Sequence, residues 1–248
     1  MSGHSKWSTI KRKKGAADAK RGRIFSRLNK EIMLAARGGG SDVDSNIRLR
    51  NAVASARAAN MPKENITRAI KKGAGELDGV MIEEIAYEGY GPGGVALIIE
   101  TVSDNRNRTT ADVRHAFDKH NGNLGAAGSV GWMFDRKGRL QFPSDGVDMA
   151  KFEEVAIENG AEDIFAEEEE VTVTCAVADF NTLQEAFRNA GFEPENADLA
   201  RIATTTVKVE GKNVDTLLKL IDALEEIDDV QNVWGNYDIA DEDMPADE

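Results

Sequence analysis

Cysteine and long apolar runs are almost missing from this sequence. Cys175 is the single cysteine among 248 residues, which excludes a disulfide within one chain and a metal site made only of thiolates, and it suits a reducing compartment. No run approaches the roughly eighteen apolar residues of a membrane-spanning helix, and the basic amino terminus lacks the apolar stretch of a secretory signal. We therefore expect a cytoplasmic protein with no membrane partner. A mitochondrial transit peptide is the alternative, although the basic stretch continues into a helical pattern.

Motifs for cofactors, metals and catalysis are also scarce. No G-x-x-x-x-G-K-[S/T] segment occurs, and His4, His115 and His120 lack a metal spacing. The segment Gly89–Gly94 matches the dinucleotide pattern G-x-G-x-x-G literally. The strand-like sequence Val95–Glu100 follows it where a helix would be required, so we expect a turn. The sequence predicts no cofactor, no metal site and no enzyme activity.

An excess of positive charge occurs at one end only of an acidic chain with a net charge of −13. Residues 1–40 contain eleven Lys/Arg and two acidic residues, residues 41–78 contain seven and five, and residues 79–248 contain thirteen and thirty-seven. A self-repelling basic arm is unfavourable unless it has an anionic partner. Nucleic acid is the commonest such partner, because neutralised phosphates release counterions.

The basic end supplies the first group of candidate nucleic-acid-binding residues. Lys and Arg bind phosphates, and the indole of Trp7 either stacks on an unpaired base or anchors local packing. A solvated helix face is the alternative, but such a face mixes signs, and residues 1–30 contain one acid, Asp18. The candidates are Lys6, Trp7, Lys11, Arg12, Lys13, Lys14, Lys20, Arg21, Arg23, Arg27 and Lys30.

A second candidate group lies in the segment Asp104–Thr110, between an expected strand and an expected helix. Its amides, guanidinium groups and hydroxyls are the types of group that contact phosphate oxygens. In the other interpretation, Asn107, Thr109 or Thr110 caps the helix and the arginines point to solvent; the two roles are compatible. The candidates here are Asn105, Arg106, Asn107 and Arg108. The glycine-rich stretch 121–129 is either a surface that a backbone can approach closely or a flexible loop.

Hydrophobic periodicity predicts an all-helical first part. A helix is expected from Lys20 to the breaker Gly38–Gly40, a second over Asn46–Ala59, and a third from Pro62 to Gly73. The sequence predicts a basic arm at 1–20 and a three-helix domain at 21–78.

Beyond residue 79 the pattern changes to strands joined by hairpins and helices. Strands are expected at 83–88, 95–102, 130–134, 139–142, 171–177, 204–209 and 230–239, and helices at 109–119, 149–158, 182–190 and 214–227. We predict an α+β protein in which two small α/β-sandwich domains, 79–134 plus 204–240 and an inserted 135–203, follow the helical domain. An acidic tail at 241–248 is expected to be disordered.

The ordered motifs of the chain resemble those of the YebC/PmpR family, whose members are described as probable transcriptional regulators and whose mitochondrial relatives activate translation of cytochrome c oxidase. Two loops depart from the family pattern, at Ser41–Asp44 and His120–Asn123. The motifs that carry the resemblance, over nearly the whole chain, are Gly3–Trp7 with Ile10-Lys11, Phe25 with Lys30–Ile32, Ala35–Arg37, Arg68–Gly73, Tyr87–Val95, Asp104–Thr109, Gly128–Val130 and Val230–Val233.

The resemblance implies a three-domain α+β fold, with ferredoxin-like sandwiches, and a cytoplasmic role without cofactor in nucleic-acid-linked control of expression. The family description favours DNA. The relatives suggest the alternative of a ribosome- or rRNA-associated factor that assists translation of difficult stretches such as proline runs. No helix carries Asn, Gln and Arg at evident base-reading positions, which favours binding to the backbone of either polymer.

Two further function classes compete with the nucleic-acid hypothesis. The acidic domains could recruit a basic protein partner, with the arm incidental; removal of residues 1–23 would then leave partner capture intact. An enzyme has no assembled site to support it. The sequence does not determine the oligomeric state.

Overall fold

The chain folds as two compact units, which we describe separately. The computed structural model describes residues 17–77, 82–167 and 169–243. The inserted unit is Trp132–Thr206, and the main unit combines Ser2–Gly131 with Val207–Glu248. Within the described ranges, every helix is too short or too polar to cross a membrane.

Three helices form the amino-terminal part of the main unit. They are α1 (Ala17–Gly39), α2 (Ile47–Ala58) and α3 (Lys63–Gly73). The side chain of Asn46 caps α2 by accepting from the Leu49 amide at 3.1 Å, and its Nδ2 donates to the carbonyls of Ala35 and Gly40 at 2.8 and 2.9 Å. One buried amide thereby joins the end of α1 to the start of α2.

Apolar side chains from the three helices meet in a common core. Ile32, Leu49 and Ala56 are fully buried there. Helix α3 approaches α1 so closely that a Cβ at Gly73 would lie 2.2 Å from the Met33 carbonyl oxygen. Only glycine fits at that contact.

A four-stranded antiparallel sheet organises the rest of the main unit. It contains β1 (Glu83–Tyr90), β2 (Ala96–Ser103), the short β3 (Asn123–Leu124) and β9 (Val230–Gly235), in the order β3-β1-β2-β9. A 3₁₀ turn over Pro92–Gly94 closes the β1–β2 hairpin, with φ of 77° at Gly93 and 79° at Gly94. Of the apparent dinucleotide motif, Gly89 lies in β1, while Gly91 and Gly94 lie in the turn of the hairpin, as predicted.

Two helices cover one face of this sheet, α4 (Arg106–Lys119) and α7 (Lys212–Glu225). The predicted strand 230–239 is two strands, because buried Asn236 ends β9 and its Oδ1 accepts from the Ala96 amide at 2.7 Å. The chain then continues as β10 (Tyr237–Asp238), which pairs in parallel with β8 (Val207–Lys208). The core between sheet and helices includes Leu97, Ile99, Phe117, Leu217, Leu220 and Tyr237.

The inserted unit has ferredoxin-like topology. Its elements in chain order are β4 (Phe134–Pro143), α5 (Met149–Glu158), β5 (Ala161–Ala166), β6 (Glu170–Ala176), α6 (Phe180–Asn189) and β7 (Asn196–Ala203). The strands are antiparallel in the order β5-β6-β4-β7. Phe142, Phe152 and Phe187 form its core with ring centroids 4.6 to 4.9 Å apart, a spacing favourable for aromatic pairs.

The α+β fold class is confirmed, while several element predictions are corrected. Strands β5 and β7 were not predicted, and 130–134 is a 3₁₀ turn (Gly131–Met133) that leads into one long strand, β4. Helix α1 begins at Ala17 rather than Lys20. Of the predicted acidic tail, residues 241–243 form a 3₁₀ turn and residues 244–248 lie outside the described residues.

Candidate nucleic-acid interface

The structure describes some of the predicted basic residues and not others. Lys20 and Arg21 lie within α1, and the side chains from Arg23 onward are described. Six candidates lie outside the described residues: Lys6, Trp7, Lys11, Arg12, Lys13 and Lys14.

Three of the described cations of α1, Arg23, Arg27 and Lys30, contact an acidic turn, Glu225–Asp229, that links α7 to β9. Arg23 forms an ion pair with the Glu226 carboxylate at 3.3 Å. Arg27 donates to the Glu225 carbonyl oxygen, and burial lowers the pKa of this guanidinium. Because the turn ends a helix, its carbonyls carry the partial negative charge that attracts cations.

Lys30 makes the strongest of these contacts. Its Nζ lies 2.6 Å from Asp229 Oδ1 and also donates to the Asp228 carbonyl at 2.8 Å. The Asp229 side chain is 4% exposed. The contact therefore places a nearly buried carboxylate against an ammonium group of the helical part.

Asp229 collects donors from the other side as well. Arg108 Nη2 lies 2.7 Å from Oδ2, the Thr109 hydroxyl donates to the same oxygen at 2.6 Å, and the Ser103 hydroxyl does so at 3.2 Å. We call Asp229 with Lys30, Arg108, Thr109 and Ser103 the Asp229 cluster. It joins α1, the end of β2 and the start of α4.

The charge of Asp229 is retained despite its burial. Burial raises the pKa of this carboxyl group, but the hydrogen bonds from Lys30, Thr109 and Arg108 outweigh it and bring the pKa to about 2. The hydrogen bond to Asp229 likewise raises the pKa of Arg108 above its usual value. Both groups are therefore charged at neutral pH, and the cluster is an ion-pair network.

Residues Arg106–Thr110 of the second candidate segment form the first turn of α4, which begins three residues before the helix expected at 109–119. The Asn105 side chain caps the helix by accepting from the Arg108 amide at 3.1 Å. The predicted caps Asn107, Thr109 and Thr110 are wrong, since the helix begins at Arg106 and all three lie inside it. The Ser103 hydroxyl accepts from the Asn105 amide at 2.9 Å and so fixes the cap.

Arg106 and Asn107 differ from their neighbour Arg108. Their side chains are exposed and form no hydrogen bond or ion pair with any described residue. They open onto a shallow hollow of about 450 Å³ along the outer face of α4, lined also by Thr110, Ala111, Arg114, His115 and Asp118. Three cationic or potentially cationic side chains and one carboxylate line this face.

The glycine-rich stretch 121–129 is anchored rather than free. The Glu88 carboxylate accepts from the backbone amides of Gly128, Val130 and Gly131 at 2.9, 2.7 and 2.7 Å. The Tyr90 hydroxyl donates to the Ser129 carbonyl at 3.2 Å. These contacts from β1 fix the loop that leads out of the main unit.

No group of three or more His, Cys, Asp and Glu side chains in the described ranges is arranged to hold a metal ion. Cys175 is fully buried on β6, and burial raises the pKa of its thiol to about 11. A thiol with that pKa is a poor nucleophile at neutral pH.

Sequence reasoning missed the acidic side of the interface. Asp229 is 199 residues from Lys30, and no local pattern connects them. One signal was available, because Glu225, Glu226, Asp228 and Asp229 place four acids within five residues. Such a concentration is complementary to the basic face of α1.

Known proteins resemble the chain over nearly its whole length. The family model "TACO1/YebC protein N-terminal domain" matches residues 5–76, and "TACO1/YebC second and third domain" matches residues 82–237. Relatives from Geotalea uraniireducens and Geobacter sulfurreducens, both named "probable transcriptional regulatory protein", are 56% and 57% identical over 244 residues. In both alignments, 98% of this chain and 98% of the relative are covered.

A solved structure shows the same fold. The crystal structure of a conserved hypothetical protein from Aquifex aeolicus matches with a TM-score of 0.86 and 45% sequence identity, covering 93% of this chain and 96% of that chain. The matches agree with the motifs that suggested the family, and the chain belongs to the TACO1/YebC family.

Proposed function

We propose that this protein is a nucleic-acid-binding regulator of gene expression, a DNA-binding transcriptional regulator in the first instance. The observation that carries the proposal is the charge distribution: eleven of the 31 Lys/Arg residues lie in the first forty positions of a chain with a net charge of −13. The printed names of the relatives, "probable transcriptional regulatory protein", support a regulatory role.

The contacts of α1 assign different roles to the candidate residues. Arg23, Arg27, Lys30 and Arg108 bind the acidic turn and the Asp229 cluster. In the proposal they position α1, with Asn105 capping α4, while the other candidate side chains bind phosphates. The proposed phosphate contacts are Lys6, Lys11, Arg12, Lys13, Lys14, Lys20, Arg21, Arg106 and Asn107, with Trp7 stacking on a base.

The predicted domains also differ in charge. We propose that the arm 1–20 and the helical domain 21–78 face the polyanion. The body (79–134 plus 204–240, with 135–203 inserted) and the tail 241–248 carry the excess of acidic residues. Their charge repels nucleic acid, which favours contact at the basic end together with Arg106 and Asn107 of α4.

A role in translation with rRNA or the ribosome as partner is the second candidate. It is favoured by the engagement of Arg23, Arg27 and Lys30 with the protein itself, because α1 then presents few side chains that could read base edges in a major groove. Binding to the phosphate backbone serves either polymer.

A salt titration tests the proposal. Duplex promoter DNA and structured rRNA fragments are titrated with the protein between 50 and 200 mM salt. If six to ten phosphates are engaged, affinity falls by roughly 10³- to 10⁵-fold over this range. Charge reversal of Lys11–Lys14 with Arg21 abolishes binding. Affinity that is independent of salt, or unchanged after charge reversal, contradicts the proposal, and the polymer that binds more tightly decides between the two candidates.

The proposal includes a cytoplasmic location, no membrane partner and no catalytic activity. The buried thiol of Cys175 agrees with a reducing compartment. Recovery of the protein in the membrane fraction of lysed cells, or nucleotide hydrolysis that a single carboxylate-to-amide change removes, would contradict these points.

A further inference from the structure

Helices α2 and α3 are joined by a short turn whose geometry is fixed by its own backbone. Asn60 has a left-handed φ of 59°, and its amide donates to the Arg57 carbonyl at 2.9 Å. The Met61 amide donates to the Ala56 carbonyl, also at 2.9 Å. This pair of hydrogen bonds is the Schellman motif that ends a helix. Met61 is buried in the helical core, so the turn sets the direction in which α3 leaves α2.

Helix α3 is held along its inner face and presents its outer face to solvent. Ile66 and Ala69 are buried in the core, and Gly73 brings the end of the helix against the backbone of α1. At about 100° per residue around the helix axis, Arg68 and Lys71 lie on the side opposite to Ile66 and Ala69. The outer face is therefore a surface of fixed orientation.

Five basic side chains lie on this outer face or at the adjoining end of α2. All five are exposed, and their side chains form no hydrogen bond or ion pair with any residue in the described ranges. Glu64 is the single carboxylate of α3. The five residues, which we call the α3 basic face, are Arg57, Lys63, Arg68, Lys71 and Lys72.

The other two cations of residues 41–78 are used within the fold. Arg48 forms ion pairs with Glu31 and Glu84 at 2.9 and 2.7 Å. Arg50 donates to the Val43 carbonyl at 3.3 Å and to a second carbonyl in the same loop. The α3 basic face is therefore distinct from the rest of the helical part, where cations connect its elements.

The stability of α3 does not account for its charges. Lys71 and Lys72 lie in the last turn, where the helix dipole favours a cation. Lys63 is the first residue of the helix, where the dipole disfavours one. Arg68 is three and four residues before the two lysines of the last turn, and like charges at that spacing destabilise a helix. A polyanion along this face would relieve these repulsions.

We propose that the α3 basic face contacts the phosphate backbone of a double-stranded nucleic acid. The inference rests on the proposed function and assigns it a helix that the candidate residues did not include. Four residues, 59–62, separate α2 from α3, and a helix pair with a turn of that length is a common means of placing a second helix against a duplex. Helix α3 contains no aromatic residue, so it offers no platform for the stacked bases of a single strand.

The experiment is an anisotropy titration of the full chain between 50 and 200 mM salt with two labelled 20-base-pair duplexes, one of DNA and one of RNA. The triple variant Lys63→Gln, Arg68→Gln, Lys71→Gln reduces the magnitude of the slope of log affinity against log salt on DNA by about 2.7, or about 0.9 per lost phosphate contact. Arg68→Lys keeps the slope, because the positive charge remains. Glutamine has a helix propensity close to that of lysine and arginine, and thermal unfolding verifies that each variant is folded.

Two further variants serve as controls. Arg50→Gln leaves the slope unchanged, because this exposed cation of the same domain is hydrogen-bonded within the protein. Glu64→Gln has the opposite effect to the triple variant. It raises duplex affinity at 50 mM salt by about 1.5- to 5-fold, the range for one exposed charge, because the single carboxylate of α3 no longer repels phosphate.

The outcomes separate the two proposals. A reduced slope on either duplex supports the α3 basic face and identifies the polymer that it contacts. If the triple variant keeps the slope on both duplexes while charge reversal of Lys11–Lys14 with Arg21 abolishes binding, the α3 contact is wrong and the proposed function stands. If the triple variant loses affinity for a polyglutamate peptide but for neither duplex, the face binds an acidic protein and the α3 contact is again wrong. If the unmodified protein binds neither duplex at any salt concentration, both proposals fail.

Discussion

Basic residues have different surroundings in the Asp229 cluster and on strand β4 of the inserted unit. In the Asp229 cluster, Lys30 and Arg108 both contact the nearly buried carboxylate of Asp229, at 2.6 and 2.7 Å. On strand β4, Arg136 is the register partner of Arg201 on β7. Arg136 has no carboxylate partner among the described residues. The comparison shows that some basic residues have a carboxylate partner within the fold while Arg136 has none among the described residues, and that composition alone does not distinguish the two.

Removal of the matched carboxylate should have the largest effect. Asp229→Ala leaves Lys30, whose side chain is 19% exposed, without its carboxylate partner. It also leaves Arg108 with Asp104 as its remaining carboxylate partner, and it removes the acceptor of two hydroxyls. We expect the free energy of unfolding to fall by about 3–5 kcal/mol, measured by urea denaturation. Glu226→Gln is the control, because Glu226 is 68% exposed in its pair with Arg23; it should cost less than about 1 kcal/mol. Equal losses of unfolding free energy in the two variants would show that the Asp229 cluster contributes no more than a surface ion pair.

The pH dependence of stability should show the same carboxylate. Its pKa is about 2 in the folded protein and about 3.9 in an unfolded chain, so Asp229 stabilises the fold above pH 4. This contribution of roughly 2–3 kcal/mol is lost as the pH falls through 2. The difference in unfolding free energy between the unmodified protein and Asp229→Asn should therefore shrink between pH 5 and pH 2. A difference that is constant over this range would show that the pKa of Asp229 is the same in the folded and unfolded states.

The inserted unit offers a matched pair of arginines on one strand. Arg139 is nearly buried and forms a two-pronged contact with Asp198 at 3.0 and 2.7 Å, so Arg139→Ala should cost about 1–3 kcal/mol. Arg136 is exposed and has no carboxylate partner among the described residues, so Arg136→Ala should change stability by less than about 0.5 kcal/mol. Chemical denaturation of both variants measures the two changes in the free energy of unfolding. A loss of more than 1 kcal/mol in Arg136→Ala would show that this side chain is matched by the fold.

Local sequence patterns predicted the helices and the β1–β2 hairpin well, because apolar spacing, Asn46, Pro62 and the Gly38–Gly40 breaker act within a few residues. Strand β7 was missed because Asn196–Ala203 (NADLARIA) contains few β-branched or aromatic residues. Its strand conformation comes from pairing along the whole of β4, which tertiary structure supplies and propensity does not.

The candidate site was predictable only on its basic side. Clustered lysines and arginines are visible in the sequence, whereas their partners are almost two hundred residues away. Arg106 and Arg108 are indistinguishable by sequence, yet the helix directs one to solvent and the other to Asp229. The assignment of phosphate-binding residues remains a prediction for the arm, of which residues 1–16 lie outside the described ranges.

The most direct test compares Arg106 and Arg108 on α4. Arg108 has a carboxylate partner within the fold, whereas Arg106 is proposed to contact phosphate. The slope of log affinity against log salt for duplex DNA is measured for the unmodified protein, Arg106→Gln and Arg108→Gln, each verified as folded. We predict that Arg106→Gln reduces the magnitude of the slope by about 0.9, the loss of one phosphate contact, and that Arg108→Gln leaves the slope unchanged. A reduced slope in Arg108→Gln with an unchanged slope in Arg106→Gln would contradict it.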